Sequence, residues 1–549
     1  MADNRKRQGY IHGALILTLG VIIMKILGAV YKIPLGNILG DEGYSMFMSA
    51  YNVYNIFFTL ATAGLPVAIS RLVAEADANG RVKQEEKTFR VALATFAVIG
   101  IVFANLMYFC SDWFAGTYLE NPDAALSVRA MAPAILLVCL VSAYRGYFQG
   151  NGNMIPTTVD EVLEVLFKAV SGLIIASLIL RSGKGLPEGS AGAITGVSIG
   201  SVVSLAYMIL YRHTHRASLK APYSAGIRAE DDTPGDDDKA DKASKIVKDI
   251  FSIGIPIAFG ACIMAILNSV DSKLCMNRLQ SAAGFSYKDA KILYGVYGKA
   301  QTFFNLPAAL VTPLTISIVP AISGAIAKGN GKEAAHISEN SIKLAAVFAM
   351  PMGAGLAVMS GPIMNVFYKG SHEAGPALLA MMGLASFFVC ILLMENAVLQ
   401  ASGFEKYTMA TMISGSLVKI AVNWFLVAQP GINIYGAPVG TLCGYIAMCA
   451  VNYHFMSKHL ERAPSLKVIL VRPLLATAAM SVTAWGVYRI LGIAFGLNNS
   501  GRMLICMGGG ILAAICVYFF LTLRLGNITK EDITQIPKGE KVAKLLHLD

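Results

Sequence analysis

Apolar residues in this chain are gathered into long runs, and polar residues fill the short stretches between them. A run of about twenty apolar residues is long enough to cross a bilayer as a helix. The pattern predicts an all-α polytopic membrane protein with fourteen transmembrane helices. The fourteen runs lie at 10–33, 44–65, 89–111, 127–148, 156–180, 190–211, 249–273, 292–324, 338–360, 375–400, 406–428, 434–457, 470–492 and 502–523.

The order of the runs repeats. A shift of 251 residues places Gln149 on Gln400, Gly152 on Gly403 and Lys168 on Lys419. We therefore predict two parallel six-helix repeats with a cavity between them, followed by two extra helices. The predicted domains are an N-terminal six-helix lobe at 1–211, a cytoplasmic linker at 212–248, a C-terminal six-helix lobe at 249–460, and helices 13 and 14 with a cytoplasmic tail at 461–549.

Composition and charge agree with a membrane protein. The chain is 55% apolar and 14% charged, against roughly 25% charged residues in soluble domains. Most lysines and arginines outside the runs fall on the side of the N-terminus, which predicts a cell-membrane protein with both termini cytoplasmic. The loop at 274–291 departs from this rule, because it is basic yet falls on the predicted outer side.

Seven basic residues lie within the apolar runs. A charge at the centre of a bilayer costs about 2.5–3.5 kcal/mol on insertion scales, so each needs a partner, water or a function. We interpret Arg145 as an interface anchor and Lys343 as a snorkelling side chain. The seven are Lys25, Lys32, Arg145, Lys168, Lys299, Lys343 and Lys419.

Helical spacing separates the remaining lysines. Lys25, Gly28 and Lys32 share one face of the first helix, with Lys25 deep in the span and Lys32 close enough to its outer end to snorkel. In the fifth helix, Glu164 and Lys168 stand in the favourable order for a local ion pair, with Glu161 on the same face.

Two further lysines lack such a local acid. Lys299 in the eighth helix and Lys419 in the eleventh have no acid one turn before them. Lys25, Lys299 and Lys419 are therefore the predicted ligands of an anion, with Lys32 and Gly28 as further members of that site.

Prolines and glycines predict bends at matching ends of the two repeats. Gly64 and Pro66 end the second run, and the eighth run contains three prolines. Either static kinks or the hinges of alternating access would fit. The three prolines are Pro307, Pro313 and Pro320.

No motif indicates an enzyme. The chain lacks a phosphate-binding nucleotide loop and any catalytic constellation, and its histidines show no metal spacing. The net charge of +11 indicates contact with anionic lipid, not nucleic acid. No cofactor is expected beyond Na⁺ or H⁺ for coupling, for which the candidate acids are Glu161, Glu164, Asp271 and Glu395.

Four segments carry a resemblance to a known family. They are similar to the stage V sporulation protein B group of polysaccharide biosynthesis proteins, which is related to the lipid II flippases. The wider superfamily also holds the multidrug and toxin extrusion antiporters. The segments are residues 25–28, 63–75, 144–150 and 297–301.

The resemblance implies export of an undecaprenyl diphosphate-linked precursor through a cationic cavity formed by helices 1, 2, 7 and 8. Lys25 and Lys299 stand where lipid II flippases have basic residues. Many relatives have basic residues at the positions of Tyr31 and of residues 57–58. This chain therefore has fewer basic residues in the cavity, and Lys32 and Lys419 are the candidates to supply the missing charge.

The resulting hypothesis is a flippase that carries this precursor, with lipid II as the expected cargo, to the outer leaflet by alternating access. Its expected partners are the lipid-linked oligosaccharide and membrane lipid, and a monomer in contact with cell-wall synthesis enzymes is expected, in a vegetative or a sporulation role. Two alternatives are a cation-coupled multidrug or metabolite antiporter of the same fold and a non-transporting cell-wall assembly scaffold.

Overall fold

The computed structural model describes residues 10–215, 241–497 and 499–526, and no strand occurs within these ranges. Fifteen α-helices are described there. They are α1 (Tyr10–Thr62), α2 (Leu65–Ala78), α3 (Val82–Phe109), α4 (Ala125–Gly150), α5 (Ile155–Arg181), α6 (Leu186–Thr214), α7 (Ala243–Ser281), α8 (Tyr287–Ala327), α9 (Gly331–Val358), α10 (Ser360–Phe367), α11 (Gly375–Ala401), α12 (Glu405–Leu426), α13 (Gly436–His459), α14 (Leu466–Phe495) and α15 (Ser500–Arg524).

The predicted runs agree with the helices. Within the described residues, twelve helical stretches are long and apolar enough to cross a membrane, and the first of them, Ile23–Ala78, covers the end of the first predicted run and all of the second. Helix α7 has 39 residues and contains the predicted seventh run. Each of the fourteen runs therefore has a helical counterpart, and the predicted all-α polytopic membrane class is confirmed.

Gly40 divides α1 into two arms, 10–39 and 41–62. Its backbone has φ of 66° and ψ of −172°, a conformation that a residue with a side chain rarely adopts. The glycine therefore permits a sharp change of direction without an intervening loop. These two arms are the first two predicted transmembrane helices.

Helix packing divides the chain into two compact units, Met1–Gly295 and Val296–Asp549. In the first unit, α1 packs against α4, α5, α6 and α7, and α5 packs along α6. Glycines make the α5–α6 contact close, since a Cβ on Gly196 would lie 2.6 Å from the backbone of Gly172 and 2.7 Å from the carbonyl oxygen of Lys168. This contact fixes the polar face of α5 against α6.

The basic segment that departed from the charge rule, 274–291, includes one buried basic residue. Lys291 is 3% exposed, and its Nζ lies 2.7 Å from Glu42 Oε1 and 2.5 Å from Asp123 Oδ2. The same ammonium group lies 4.4 Å from the ring centroid of Tyr287. Because two acids neutralise Lys291, it does not count as a free charge on that side.

In the second unit, glycines again hold helix pairs together. A Cβ on Gly353 of α9 would meet the Gly383 carbonyl of α11, and a Cβ on Gly415 of α12 would meet the Gly444 carbonyl of α13. The core between α9, α11 and α13 includes Ala345, Cys390, Met394 and Met448. Small residues thus let these helices approach closely, and close packing is what holds helices together in lipid.

The two lysines that the repeat aligned occupy matching positions. A Cβ on Gly200 of α6 would lie 3.1 Å from the Lys168 Cβ of α5, and one on Gly444 of α13 would lie 3.0 Å from the Lys419 Cβ of α12. Each lysine thus leaves its helix beside a glycine of the following transmembrane helix. This local match agrees with the internal repeat.

The predicted domain bounds stay predictions. The boundary between the compact units falls at residues 295 and 296, inside α8, so it divides the chain differently from the predicted lobes. Residues 216–240 of the predicted linker lie outside the described residues, as do both termini, and the predicted orientation of the termini is therefore also still a prediction.

The predicted hinge residues are all found at helix junctions or within helices. Gly64 precedes α2, where a Cβ would meet the Gly254 carbonyl of α7, and Pro66 lies in the first turn of α2. The three prolines of the eighth run lie inside α8, which continues past them. Close packing explains Gly64, and a hinge role for this set stays a prediction.

Replacing Gly196 with alanine should destabilise the first unit, because the added methyl group would overlap the backbone of α5. Overpacking of this kind typically costs about 1–3 kcal/mol. Thermal unfolding of the purified protein in detergent measures the effect. Gly486→Ala is the control, since nothing lies within 4 Å of its added Cβ. Equal melting temperatures for the two variants would contradict the packing argument.

Candidate functional site

An aromatic stripe runs along the second arm of α1. The spacing of three and four residues places its members on one face of the helix. Neighbouring ring centroids are 5.5–5.8 Å apart, within the range of favourable aromatic contacts. The members are Tyr44, Phe47, Tyr51, Tyr54 and Phe58. Contacts on both sides hold the Tyr51 ring in place.

Two lysines face the ring of Tyr51. The Nζ of Lys32, on the first arm of α1, lies 5.9 Å from the ring centroid, and the Nζ of Lys168, on α5, lies 6.0 Å from it. These distances are at the outer limit of cation–π attraction. Both side chains are half-buried, and they lie close enough for their charges to repel each other.

Neither lysine forms an ion pair with an acid in the described part of the chain. This overturns the predicted local pair of Glu164 with Lys168, because Glu164 binds Arg145 instead, at 2.9 Å between Oε2 and Nη2. Two like charges in partly apolar surroundings repel each other, and an anion placed between them would relieve that repulsion. We call Lys32 and Lys168 the lysine pair. Together with the Tyr51 ring that both approach, they form the candidate anion site.

Arg145 lies in a buried acidic cluster and is not the interface anchor that the sequence predicted. The residue is 8% exposed, and its Nε lies 2.6 Å from Asp160 Oδ2. Its Nη1 lies 3.8 Å from Glu161 Oε1. With Glu164, three carboxylates of α5 surround one guanidinium group, whose planar fork suits such multiple pairing.

Helix α6 completes the acidic cluster. Ser204 donates a hydrogen bond to Asp160 Oδ1, and Ser201 donates one to Glu164 Oε1 at 3.5 Å. Asp160 and both serines are not among the residues predicted from the sequence. The available signal was spacing, since Asp160 and Glu164 are one turn apart on α5, and Ser201 and Ser204 are three residues apart on α6.

The predicted first-helix residues lie on the same arm as Lys32. Lys25 is exposed, and among the described residues no atom beyond the adjoining turns of the helix lies within 4 Å of the position that a Cβ on Gly28 would take. Gly28 therefore leaves open space beside the helix and does not serve a close helix contact. The ligand roles of Lys25 and Gly28 stay predictions.

In the second unit, Lys299 is enclosed by protein. It is 2% exposed, and its Nζ lies 5.2 Å from the ring centroid of Tyr368. Tyr297, two residues earlier, lies with its hydroxyl 3.4 Å from Thr441 Oγ1. Lys419 is half-buried on α12. Anion binding by Lys299 and Lys419 also stays a prediction.

The acids proposed for ion coupling fall into different surroundings. Glu161 and Glu164 belong to the cluster around Arg145, whose single positive charge they share with Asp160. Asp271 on α7 is 5% exposed, and Glu395 on α11 is 3% exposed. The structure thus places these four acids in three separate environments.

Known proteins are similar in sequence to this chain over most of its length. The profile of a family described as polysaccharide biosynthesis protein matches residues 11–326. The lipid II flippase MurJ of Bacillus subtilis (strain 168) is 26% identical over 538 residues, which cover 95% of this chain and 96% of that protein. Stage V sporulation protein B of the same organism is 24% identical over 542 residues, covering 97% and 98%.

Solved structures share the fold. A lipid II flippase MurJ in an inward closed conformation matches with a TM-score of 0.67 at 15% identity, over 93% of this chain and 99% of that one. An inward-facing multidrug resistance MATE family transporter matches with a TM-score of 0.62 at 16% identity, over 80% and 97%. The chain therefore has the fold of these transporters, as the resemblance implied.

Replacing Arg145 with methionine should strongly destabilise the protein, because three acids would lose their shared cation. Breaking a buried ion pair in this way typically costs about 3–5 kcal/mol. Thermal unfolding in detergent tests this, with Arg90→Met as the control. The Arg90 side chain is 69% exposed in its pair with Glu86, so its loss should cost about 1 kcal/mol or less. A similar small effect for both variants would rule out the structural role of Arg145.

Proposed function

The chain belongs to the polysaccharide biosynthesis protein family, and from this premise we propose that it is a membrane flippase for an undecaprenyl diphosphate-linked cell-wall precursor. Lipid II is the first cargo to test, because one relative is named as a lipid II flippase. Alternating access moves the head group across the membrane while the polyprenyl tail stays in lipid. The protein performs no covalent chemistry in this proposal.

The lysine pair is the observation that carries the proposal. A diphosphate is an anion that cannot cross hydrocarbon unaided, and lysine is a common point-charge ligand of phosphate. Lys32 and Lys168 present two ammonium groups to one ring, inside helices long and apolar enough to span a membrane. At 4 Å and an effective dielectric constant of 20, each charge pair is worth about 4 kcal/mol before desolvation costs.

The acidic cluster supports an anionic cargo. Asp160 and Glu164 are nearby acids that could neutralise Lys168 or attract a cation, but Arg145 binds both of them. Neither acid therefore pairs with Lys168, whose ammonium group lies at the Tyr51 ring instead. This arrangement favours an anionic lipid over the cationic drugs that a multidrug antiporter would carry.

The remaining expectations complete the proposal. We propose that the protein acts as a monomer with both termini in the cytoplasm, and that it meets cell-wall synthesis enzymes at the membrane. The relative named stage V sporulation protein B makes a sporulation role as reasonable to test as a vegetative one.

Replacing Lys32 or Lys168 with alanine should weaken binding of undecaprenyl diphosphate to the purified protein. A hydrogen bond to a charged group is worth about 1.5–3 kcal/mol, so each loss should raise the Kd roughly tenfold or more. Lys→Arg at either position keeps the charge and should retain most of the affinity. Lys245→Ala is the matched control, since that lysine is 61% exposed and pairs with Asp241.

Full affinity in Lys32→Ala and Lys168→Ala would place the diphosphate elsewhere, with Lys25, Lys299 and Lys419 as the next positions to replace. The cargo itself is identified by depleting the protein in its native cell and analysing lipid-linked sugars. A flippase predicts accumulation of one such lipid on the inner leaflet. Accumulation of none would contradict the proposed function and favour an antiporter or a scaffold.

A further inference from the structure

A single carboxyl group lies inside the apolar core of the second unit. Glu395, less than two turns before the end of α11, is 3% exposed. Its neighbours along the helix, Leu392, Met394 and Val398, belong to the buried hydrophobic cluster. The neutral form of a carboxyl group is far less costly in such surroundings than the ionised form.

The hydrogen bonds around Glu395 are one donor short. The side chains of Cys449 and Asn452 on α13 lie beside the carboxyl group, but Cys449 Sγ donates to the Phe388 carbonyl oxygen at 3.4 Å and Asn452 Nδ2 donates to Asn396 Oδ1 at 2.8 Å. Among the described residues, no donor reaches Glu395 Oε2 or Asn452 Oδ1. A proton on the carboxyl group would supply the missing donor.

No fixed cation serves this acid. Glu395 forms no ion pair with a described lysine or arginine. The polar side chains beside its carboxyl group are those of Cys449 and Asn452, and neither carries a fixed charge. The repeat shows why, because a shift of 251 residues places Arg145 of the first unit on Asn396. The first unit carries its own cation for its acids, and the second has a neutral amide in that position.

We propose that Glu395 is a proton-binding site, and that binding and release of this proton drive the transport cycle. The inference rests on the proposed function, since a coupling proton matters only if the chain transports. A hydronium ion donates the proton, so that one of its O–H bonds breaks as one O–H bond forms on the carboxylate and a water molecule is left. Release is the reverse step, in which water accepts the proton and the carboxylate is restored.

The proton acts by selecting between two packings of the second unit. With the proton bound, Glu395 is neutral and compatible with the dry contact among α9, α11 and α13. Without it, the carboxylate needs water, so α11 and α13 must separate enough to admit it. The pH on each side of the membrane then biases the conformation of these helices.

The neighbouring helices favour a proton over Na⁺. Helix α9 contributes Ala345, Ala346 and Ala349 to the apolar cluster, and α13 contributes the thiol of Cys449 and the amide of Asn452. No charged group of α10 or α12 among the described residues acts on Glu395. Hard cations require several oxygen ligands, and the described surroundings offer too few for Na⁺.

Dicyclohexylcarbodiimide tests the protonation directly, because it reacts with protonated carboxyl groups in apolar surroundings. The full-length protein is reconstituted in liposomes, treated at neutral pH, and analysed by peptide mass spectrometry. We expect modification at Glu395 that declines as the pH rises and that is lost in Glu395→Gln. Glu405, exposed at the start of α12, should stay unmodified and serves as the internal control.

An unmodified Glu395 in the wild-type protein would overturn the proposal, and so would protection by Na⁺ at constant pH. This measurement needs no transport and no variant, so it holds even if Glu395→Gln fails to fold. Transport is then compared with and without a pH gradient. Coupling is supported if transport by the wild type and by Glu405→Gln depends on the pH gradient while transport by Glu395→Gln does not. Transport by Glu395→Gln that still depends on the gradient rejects coupling. Absence of wild-type transport would reject the proposed function and leave the labelling result standing.

Discussion

Charge placed within apolar helices must be neutralised, hydrated or bound, and this constraint governs the polar interior of the first unit. Arg145 satisfies it by binding Asp160, Glu161 and Glu164, which all project from α5. The arrangement depends on the close contact between α5 and α6, where glycines let the serines of α6 reach the same carboxylates. One arginine of α4 therefore holds three acids of α5, and two of these acids also accept hydrogen bonds from serines of α6.

The same arrangement decides which charges stay available. Glu164 would pair with Lys168 if α5 were an isolated helix, since the two are one turn apart. Arg145 binds Glu164, and the Lys168 ammonium group lies near the Tyr51 ring, as does that of Lys32. The bend at Gly40 matters here, because Lys32 lies on the arm before it and Tyr51 on the arm after it. The change of direction lets the two residues face each other.

The two units meet the constraint in different ways. The first holds its acids with a permanent cation, and the second holds Glu395 beside Asn396 and Asn452, with a carboxyl oxygen that lacks a donor. A duplicated chain can diverge in this manner, since one copy keeps a rigid polar cluster and the other acquires a group that responds to pH. Anion binding and proton coupling would then lie in different units.

The sequence by itself determined the helices, the repeat and the class of protein. Apolar runs fix helix positions because a backbone in lipid must satisfy its hydrogen bonds internally, and each of the fourteen runs falls on a described α-helix. It also identified Lys32, Lys168, Arg145 and Glu395 as charges that need an explanation. Only the tertiary structure decided their partners. Arg145 and Asp160 are 15 residues apart, and Lys32 of α1 and Lys168 of α5 approach the same Tyr51 ring. These arrangements depend on how the chain folds and helices pack, and not on spacing along one helix.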